Sequence, residues 1–438
     1  MSVREWYENF DDEDGRLGGF SMEWLRSTEL IQRVLPSPPA RVADIAGGPG
    51  RYSAWLAGLG YQVDLLDLVP DHVEQARRRA SVQGVDIECV VGDARALPWN
   101  DETFDVVLLM GALYHLQDRA DRLACLAEAR RVLKPGGALV TSHVTRWDSL
   151  FDWYRFDAGA HPEFRRIVEV DLATGCHENP SNDPNWFTTA YFHTPDEIRD
   201  EVMSSGLTDV QVLAVEGFTH LIEPPEGMRT GDGLEMLMAD LRAIESEPAL
   251  LGMSAHLMSL SRKAPVIIRK IGIAEVAEMR AVQARSWLAT YPNPEHGVSL
   301  EWVQETTSQF SSAESLSRWT EIVEKAETDP TQFSRVAETC GRIVGLLHAE
   351  TQADGTIELK AIYVDPPWFG KGVGTALMQA FDAWAGDAEI QLDVAVYNQR
   401  AIDFYRKHGF ESVAGSEHIE LEVMPVIDMI RPGRRKFE

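Results

Sequence analysis

Apolar and polar positions along this chain follow two rhythms in turn. From Val42 the run VADIAGG is an apolar strand ending in a glycine turn, RYSAWLAGLG repeats its apolar residues at helical spacing, and YQVDLLDLV is strand-like again. The pattern predicts a helix over about 71–83, then strands in IECVVGDA and FDVVLLMGALY. An amphipathic helix, RLACLAEARRVL, follows, and a KPGG turn leads into the strand ALVTSHV. Strands alternating with helices predict a parallel sheet covered on both faces, with ligands held at the carboxyl ends of its strands.

MSAHLMSLSRKAP reads as the last strand of this half, and VIIRKI opens a new pattern after only Ala264 and Pro265. A domain boundary is therefore predicted near 265, and 438 residues exceed what one hydrophobic core usually supports. Beyond the boundary the pattern predicts helices over 274–290 and about 312–328, then strands FSRVAET, RIVGLLHAET and TIELKAIYV. A helix TALMQAFDAWAG, a strand IQLDVAV and a helix NQRAIDFYRKHGF complete it.

Each half carries a glycine turn that opens a helix, DIAGGPG at 44–50 and FGKGVG at 369–374, where backbone N–H groups can wrap a ligand. The first turn alone fits a dinucleotide site too, since Gly48 and Gly50 supply part of GxGxxG, with Ser53 where the third glycine would stand. Asp67 closes the second strand 23 residues after Asp44, where an acid accepts hydrogen bonds from both ribose hydroxyls. Three features separate the readings: an acid at Asp44, GDA at 92–94 and LKPGG at 133–137.

Together these resemble the class I S-adenosylmethionine-dependent methyltransferases over residues 1–263, which implies a Rossmann-like α/β sheet. By that resemblance Asp44, Ala46, Gly48 and Gly50 lie against the methionine and ribose, Asp67 binds ribose, and Asp93 with Ala94 sits by the adenine. Ala46 stands where the family has its first glycine, and an extended backbone is expected there. Aromatics before and after the core (Trp6, Tyr7 and Trp24, then Trp147, Trp153, Tyr154, Trp186, Phe187, Tyr191 and Phe192) form either the family's lid or plain core. His115, in GALYHL, either takes a proton from the methyl acceptor or packs against the cofactor. His177 and His193 are weaker candidates for the base.

In the second half the extended IYV, the GKGVG turn, Asn398 at a strand end and AIDFYRKHGF, in that order, resemble the GNAT superfamily of acyl-CoA N-acyltransferases over 266–438. The resemblance implies an α+β acyltransferase domain whose turn, Phe369, Gly370, Lys371, Gly372, Val373 and Gly374, cradles the pyrophosphate of acetyl-CoA. Ile362 and Val364 would lie along the pantetheine, Asn398 would hold its arm, and Tyr405 would protonate the departing thiolate. Phe369 departs from the polar side chain the family's motif expects. Glu358 is either the base for the amine or a solvated surface acid, and His296 is a remoter base.

Composition adds exclusions. A formal charge of -28 opposes nucleic-acid binding, which needs displaced counterions. Four scattered cysteines without CxxC spacing suggest neither a disulfide framework nor a zinc site. No apolar run is long enough to span a bilayer and the acidic start is unlike a secretory signal, so a cytoplasmic location is expected. The sequence thus predicts a fusion that methylates a small molecule from S-adenosylmethionine and acetylates an amine from acetyl-CoA. The alternative is a methyltransferase carrying a non-catalytic acyl-CoA sensor.

Overall fold

The computed structural model describes residues 5–6, 21–155, 162–183 and 186–433. The chain divides into two compact units, Met1–Ala264 and Pro265–Glu438.

In the first unit five strands run parallel: β1 (Arg41–Ile45), β2 (Gln62–Asp67), β3 (Ile87–Val91), β4 (Phe104–Leu109) and β5 (Leu133–Val144). A small pair, β6 (Cys176–His177) and β7 (Ala190–Tyr191), lies in the segment after β5. β8 (Thr208–Ala214) and β9 (His256–Arg262) close the main sheet antiparallel, giving the order β3-β2-β1-β4-β5-β9-β8.

Alternate residues of the central strands feed opposite faces. Ala43, Ile45, Val107, Leu109 and Leu139 pack under α4 (Arg119–Val132) and α7 (Pro195–Ser204). Val42, Val63, Val106, Leu108 and Val140 pack under α1 (Met22–Gln32) and α2 (Arg51–Gly58). The predicted helix at 71–83 is α3 (Pro70–Gln83), opened by Pro70 and stopped by Gly84 in the left-handed conformation. After β5 come α5 (Asp148–Arg155) and α6 (Pro162–Thr174), and α8 (Gly231–Ile244) precedes β9. The strand β5 runs through the predicted KPGG turn, with Gly136 at φ 81 absorbing the irregularity.

In the second unit the sheet order is β10-β11-β12-β13-β14-β17-β15, with β16 paired to β17. The strands are β10 (Ile267–Arg269), β11 (Gln332–Thr339), β12 (Arg342–Thr351), β13 (Ile357–Val364), β14 (Ile390–Ala395), β15 (Glu411–Ser412), β16 (His418–Glu420) and β17 (Met424–Arg431). One face packs on α12 (Val373–Ala385) and α13 (Gln399–Lys407), the other on α9 (Val276–Thr290) and α11 (Ala313–Thr328). A helix the sequence pattern did not reveal, α10 (Leu300–Ser308), starts at Ser299, whose hydroxyl accepts from the Trp302 amide at 3.1 Å. Only β13 and β14 are parallel, and they pair at just two positions, Ile357 with Ile390 and Glu358 with Gln391. Past those the strands diverge and leave a wedge. No helix among the described residues is long and apolar enough to cross a membrane.

Candidate functional sites

The first turn sits where β1 ends. The amides of Ala46 and Gly47 both reach the Leu66 carbonyl, at 2.7 and 3.3 Å, which pins the turn to the end of β2. Beneath it, Asp44 is fully buried; its Oδ2 accepts from Ser53 at 2.6 Å, while Oδ1 has no partner among the described residues. Burial, with the Asp67 charge adding to it and the Ser53 bond opposing, pushes the Asp44 carboxyl up to about 6. Asp67 is tied to the same turn: it accepts from the amides of Gly48 and Val69 at 2.9 Å each, and His72 Nδ1 lies 3.3 Å away. A Cβ on Gly50 would come within 2.8 Å of Ala76, so only glycine lets α3 approach; a Cβ on Gly48 would meet nothing. The outer side of the turn is therefore open above two carboxylates. An orphaned buried acceptor beside an open turn fits a ligand carrying positive charge and donors.

His115 lies in the 3-10 turn after β4, and its Nδ1–H donates to the Thr189 carbonyl at 3.4 Å, which leaves the lone pair on Nε2. Burial pushes its pKa down to about 4, so the ring is neutral near pH 7. Phe187 stacks on it at 5.6 Å between centroids, and Thr189, whose carbonyl takes the His115 bond, lines a pocket with Trp6, Asn179 and Thr188. The other rings divide. Trp153, Phe164 and Trp186 pack with one another, Phe192 stacks on His177, and Tyr154 is exposed. Trp24 lies by Tyr52 with the Arg51 guanidinium 4.1 Å over its ring. Trp147 lines the backbone at Gly252, and Tyr191 lies under the Arg122 guanidinium. Tyr7 lies outside the described residues. His177, held by Asp171 at 2.8 Å, and His193, buried beside Glu201, have structural surroundings.

The second turn follows β13. Gly370 and Gly372 take φ of 71 and 80, and a Cβ on either would meet nothing, so the turn is open on its outer side. Among the described residues their amides meet no acceptor, and the first amides of α12 add to them. This cradle fits an anionic diphosphate. Asn398 Oδ1 caps α13 through the Ala401 amide at 3.2 Å, leaving its NH2 as donor. Tyr405 is buried between Phe404 and Phe410; burial, with Tyr363 nearby, raises its pKa well above the phenol range. The edge of β13 that carries Ile362 and Val364 has no strand partner on the β14 side.

Two family models match the chain, one described as a methyltransferase domain over residues 42–137 and one as the acetyltransferase (GNAT) family over 299–410. The chain is 33% identical over 160 residues to the ubiquinone/menaquinone biosynthesis C-methyltransferase UbiE of Ruegeria sp. strain TM1040, covering 32% of this chain and 62% of that protein. It is 31% identical over 182 residues to the demethylmenaquinone methyltransferase of Beutenbergia cavernae, covering 42% and 67%. This chain thus spans less than two thirds of the first of these relatives. The solved PaiA N-acetyltransferase of Thermoplasma acidophilum, in complex with coenzyme A, matches 37% of this chain and 98% of its own at 20% identity and a TM-score of 0.32. The chain joins a methyltransferase domain to a GNAT acetyltransferase domain. Their cofactors are S-adenosylmethionine and acetyl-CoA.

The geometry adds detail to several of the expected site residues and alters one, Ala46. In the methyltransferase domain Ala46 is not extended; its φ is 55, in the left-handed region, because the chain turns back onto Leu66 immediately after β1. Asp93 does not present an open carboxylate: Arg95 binds it through Nε and through a 2.7 Å contact from its terminal nitrogen, and Asp121 holds Arg95 in place. Ala94 packs beside it against the core. In the acetyltransferase domain the Lys371 amide turns inward to the Trp368 carbonyl at 3.2 Å and leaves the cradle, and Val373 points into the core. Glu358 pairs with Lys360 and accepts from Gln352 at 2.9 Å, at the closed end of the wedge. Six strand residues, about 20 Å, separate it from Val364, and its Lys360 and Gln352 partners are the surroundings of a surface acid, the other reading of this residue. His296 bonds Asn293 on the surface.

Sequence reasoning passed over three groups. Tyr363 and Tyr291 lie near the Tyr405 phenol. Arg400 places its guanidinium 3.7 Å from the centroid of the Phe369 ring.

Proposed function

We propose that the chain is a bifunctional transferase. Residues 1–263 would move a methyl group from S-adenosylmethionine to a small-molecule acceptor, and residues 266–438 an acetyl group from acetyl-CoA to an amine. The observation that carries this reading is the opposite charge of the two glycine turns. The first rests on Asp44 and Asp67 and would repel phosphate, but suits a sulfonium nucleoside. The second has unclaimed amides and Arg400 close by, while its one acid, Asp365, is neutralised by Arg285 through two 2.8 Å bonds.

When bound, the two cofactors supply an electrophilic methyl and an acetyl thioester. In the first domain Asp44, Gly48, Gly50 and Asp67 would hold the donor, with Asp93 and Ala94 at the adenine end sharing that place with Arg95. His115, neutral at its Nε2, would accept a hydrogen bond from the acceptor's hydroxyl or amine, and Phe187 and Trp6 would exclude water. In the second, the amides of Gly370, Gly372, Val373 and Gly374 would hold the diphosphate, and β13 at Ile362 and Val364, with Asn398, the pantetheine. Tyr405 keeps its proton at working pH and would donate a hydrogen bond to the sulfur as the C–S bond breaks and the N–C bond forms; the proton lost by the amine replaces any it gives up.

Calorimetric titration of the whole chain tests this: each cofactor should bind once. Asp67→Ala should weaken S-adenosylmethionine alone by more than tenfold, the loss of a charged acceptor worth about 1.5 to 3 kcal/mol. A chain that binds acetyl-CoA but releases no thiol with any of a panel of amino sugars, amino acids and polyamines would be a sensor in its second half.

A further inference from the structure

At residue 369 the GNAT motif expects a polar side chain and this chain has phenylalanine. Resting on the reading that the turn at 370–374 holds coenzyme A, we propose that Arg400 supplies the cation missing at 369 and binds the coenzyme A diphosphate from the first turn of α13.

The guanidinium lies 3.7 Å from the centroid of the Phe369 ring, and Phe369 is the residue immediately before Gly370. A guanidinium over that ring is held beside the turn, and its N–H groups lie in its own plane. The helix that carries it is fixed there: a Cβ on Gly374 would stand 3.3 Å from the Phe404 ring, so α13 packs directly on the opening turn of α12. Phenylalanine at 369 thus provides a platform for a guanidinium delivered from another helix.

The donors of Arg400 are largely unspent. One terminal nitrogen donates to Thr290 Oγ1 at 3.2 Å, and among the described residues no carboxylate pairs with the side chain. Elsewhere in this acidic chain arginines near the same site are neutralised, as Arg285 is by Asp365. Arg400 also stands in the first turn of its helix, after the cap at Asn398, where the helix dipole disfavours a cation. An anion between the two helix starts would compensate for that placement. Lys371 is the other cation of the turn, with its ammonium 5.7 Å from the Trp368 ring.

The test titrates coenzyme A and 3′-dephospho-coenzyme A into the full chain and into Arg400→Met and Arg400→Lys. Methionine keeps an apolar stem against Phe369 without the charge, and should weaken both ligands about tenfold or more while S-adenosylmethionine affinity stays put. Lysine keeps the charge and should lose less. Equal losses for the two variants would mean that a cation at 400 contributes nothing and overturn the proposal, as would unchanged affinity in Arg400→Met. A loss with coenzyme A that vanishes with the 3′-dephospho form would assign Arg400 to the 3′-phosphate and overturn it also. A wild-type chain that takes up no coenzyme A would remove the reading of the turn itself, whereas a binding wild type with an indifferent Arg400 removes only this inference.

Discussion

Asp44 offers a test of the first site that needs no acceptor substrate. Its carboxyl is raised from an ordinary 3.8 to about 6, chiefly by burial, and one of its oxygens has no partner among the described residues. A raised carboxyl contributes stability that is fully present below the unfolded value and is lost as pH climbs through about 6. The shift of about 2 units, at about 1.4 kcal/mol each, amounts to about 3 kcal/mol of destabilisation at alkaline pH. Asp44→Asn removes the ionisation and adds a pH-independent cost for the buried amide. Between pH of about 4 and 8 the stability of the variant relative to wild type should therefore rise by roughly 2 kcal/mol, whatever that fixed cost is. Scanning calorimetry can follow it in the unfolding transition that moves on addition of S-adenosylmethionine. The same variant should bind that cofactor more weakly, since the orphaned acceptor is what the ligand would satisfy. A difference between variant and wild type that does not change with pH would refute the account of Asp44 as a carboxylate held at a cost for its ligand.

Ala46→Gly should raise the stability of the first unit by up to about 1 kcal/mol, because the left-handed backbone costs an alanine about 1 to 2 kcal/mol and glycine returns part of that in chain entropy; denaturant midpoints decide it. Gly372→Val should abolish acetyl-CoA binding in titration while S-adenosylmethionine binding stays intact, since a β-branched residue resists φ of 80 and its side chain would fill the open cradle. Tyr405→Phe should cut the rate of thiol release about a hundredfold with acetyl-CoA affinity unchanged, because a hydrogen bond to the developing thiolate exists only in the transition state; lower stability with an unchanged rate would make the residue structural.

Both folds were legible because local pattern and global fold agree in each. The alternation of Val42, Ala43 and Ile45 between two packed faces is the periodicity of a central parallel strand, and the structure buries all three completely. The glycine turns were legible for a similar reason: Gly48, Gly50, Gly370 and Gly372 all take positive φ, a demand that a few adjacent residues express without help from the rest of the chain. The helix α10 was hidden because its nine residues bury only Val303 and Thr307, too few positions to establish a period.

What adjacent residues cannot express is which distant side chain faces them. The string GDA shows Asp93 as an acid, but not that Arg95 folds back on it or that Asp121, 26 residues from Arg95, fixes that guanidinium. Glu358 reads as either a base or a surface acid from its place on an alternating strand, and what the string does not show is the ion pair with Lys360 at the end of β13 that is still paired with β14. Phe369 reads as a lost contact only while Arg400 is counted as part of another helix. Each side chain was judged by its neighbours in sequence, whereas its charge environment is set by an element packed against it. Two turns of nearly the same glycine spacing therefore acquire opposite surroundings, carboxylates for one and a guanidinium for the other, and the two proposed ligands rest on that tertiary difference.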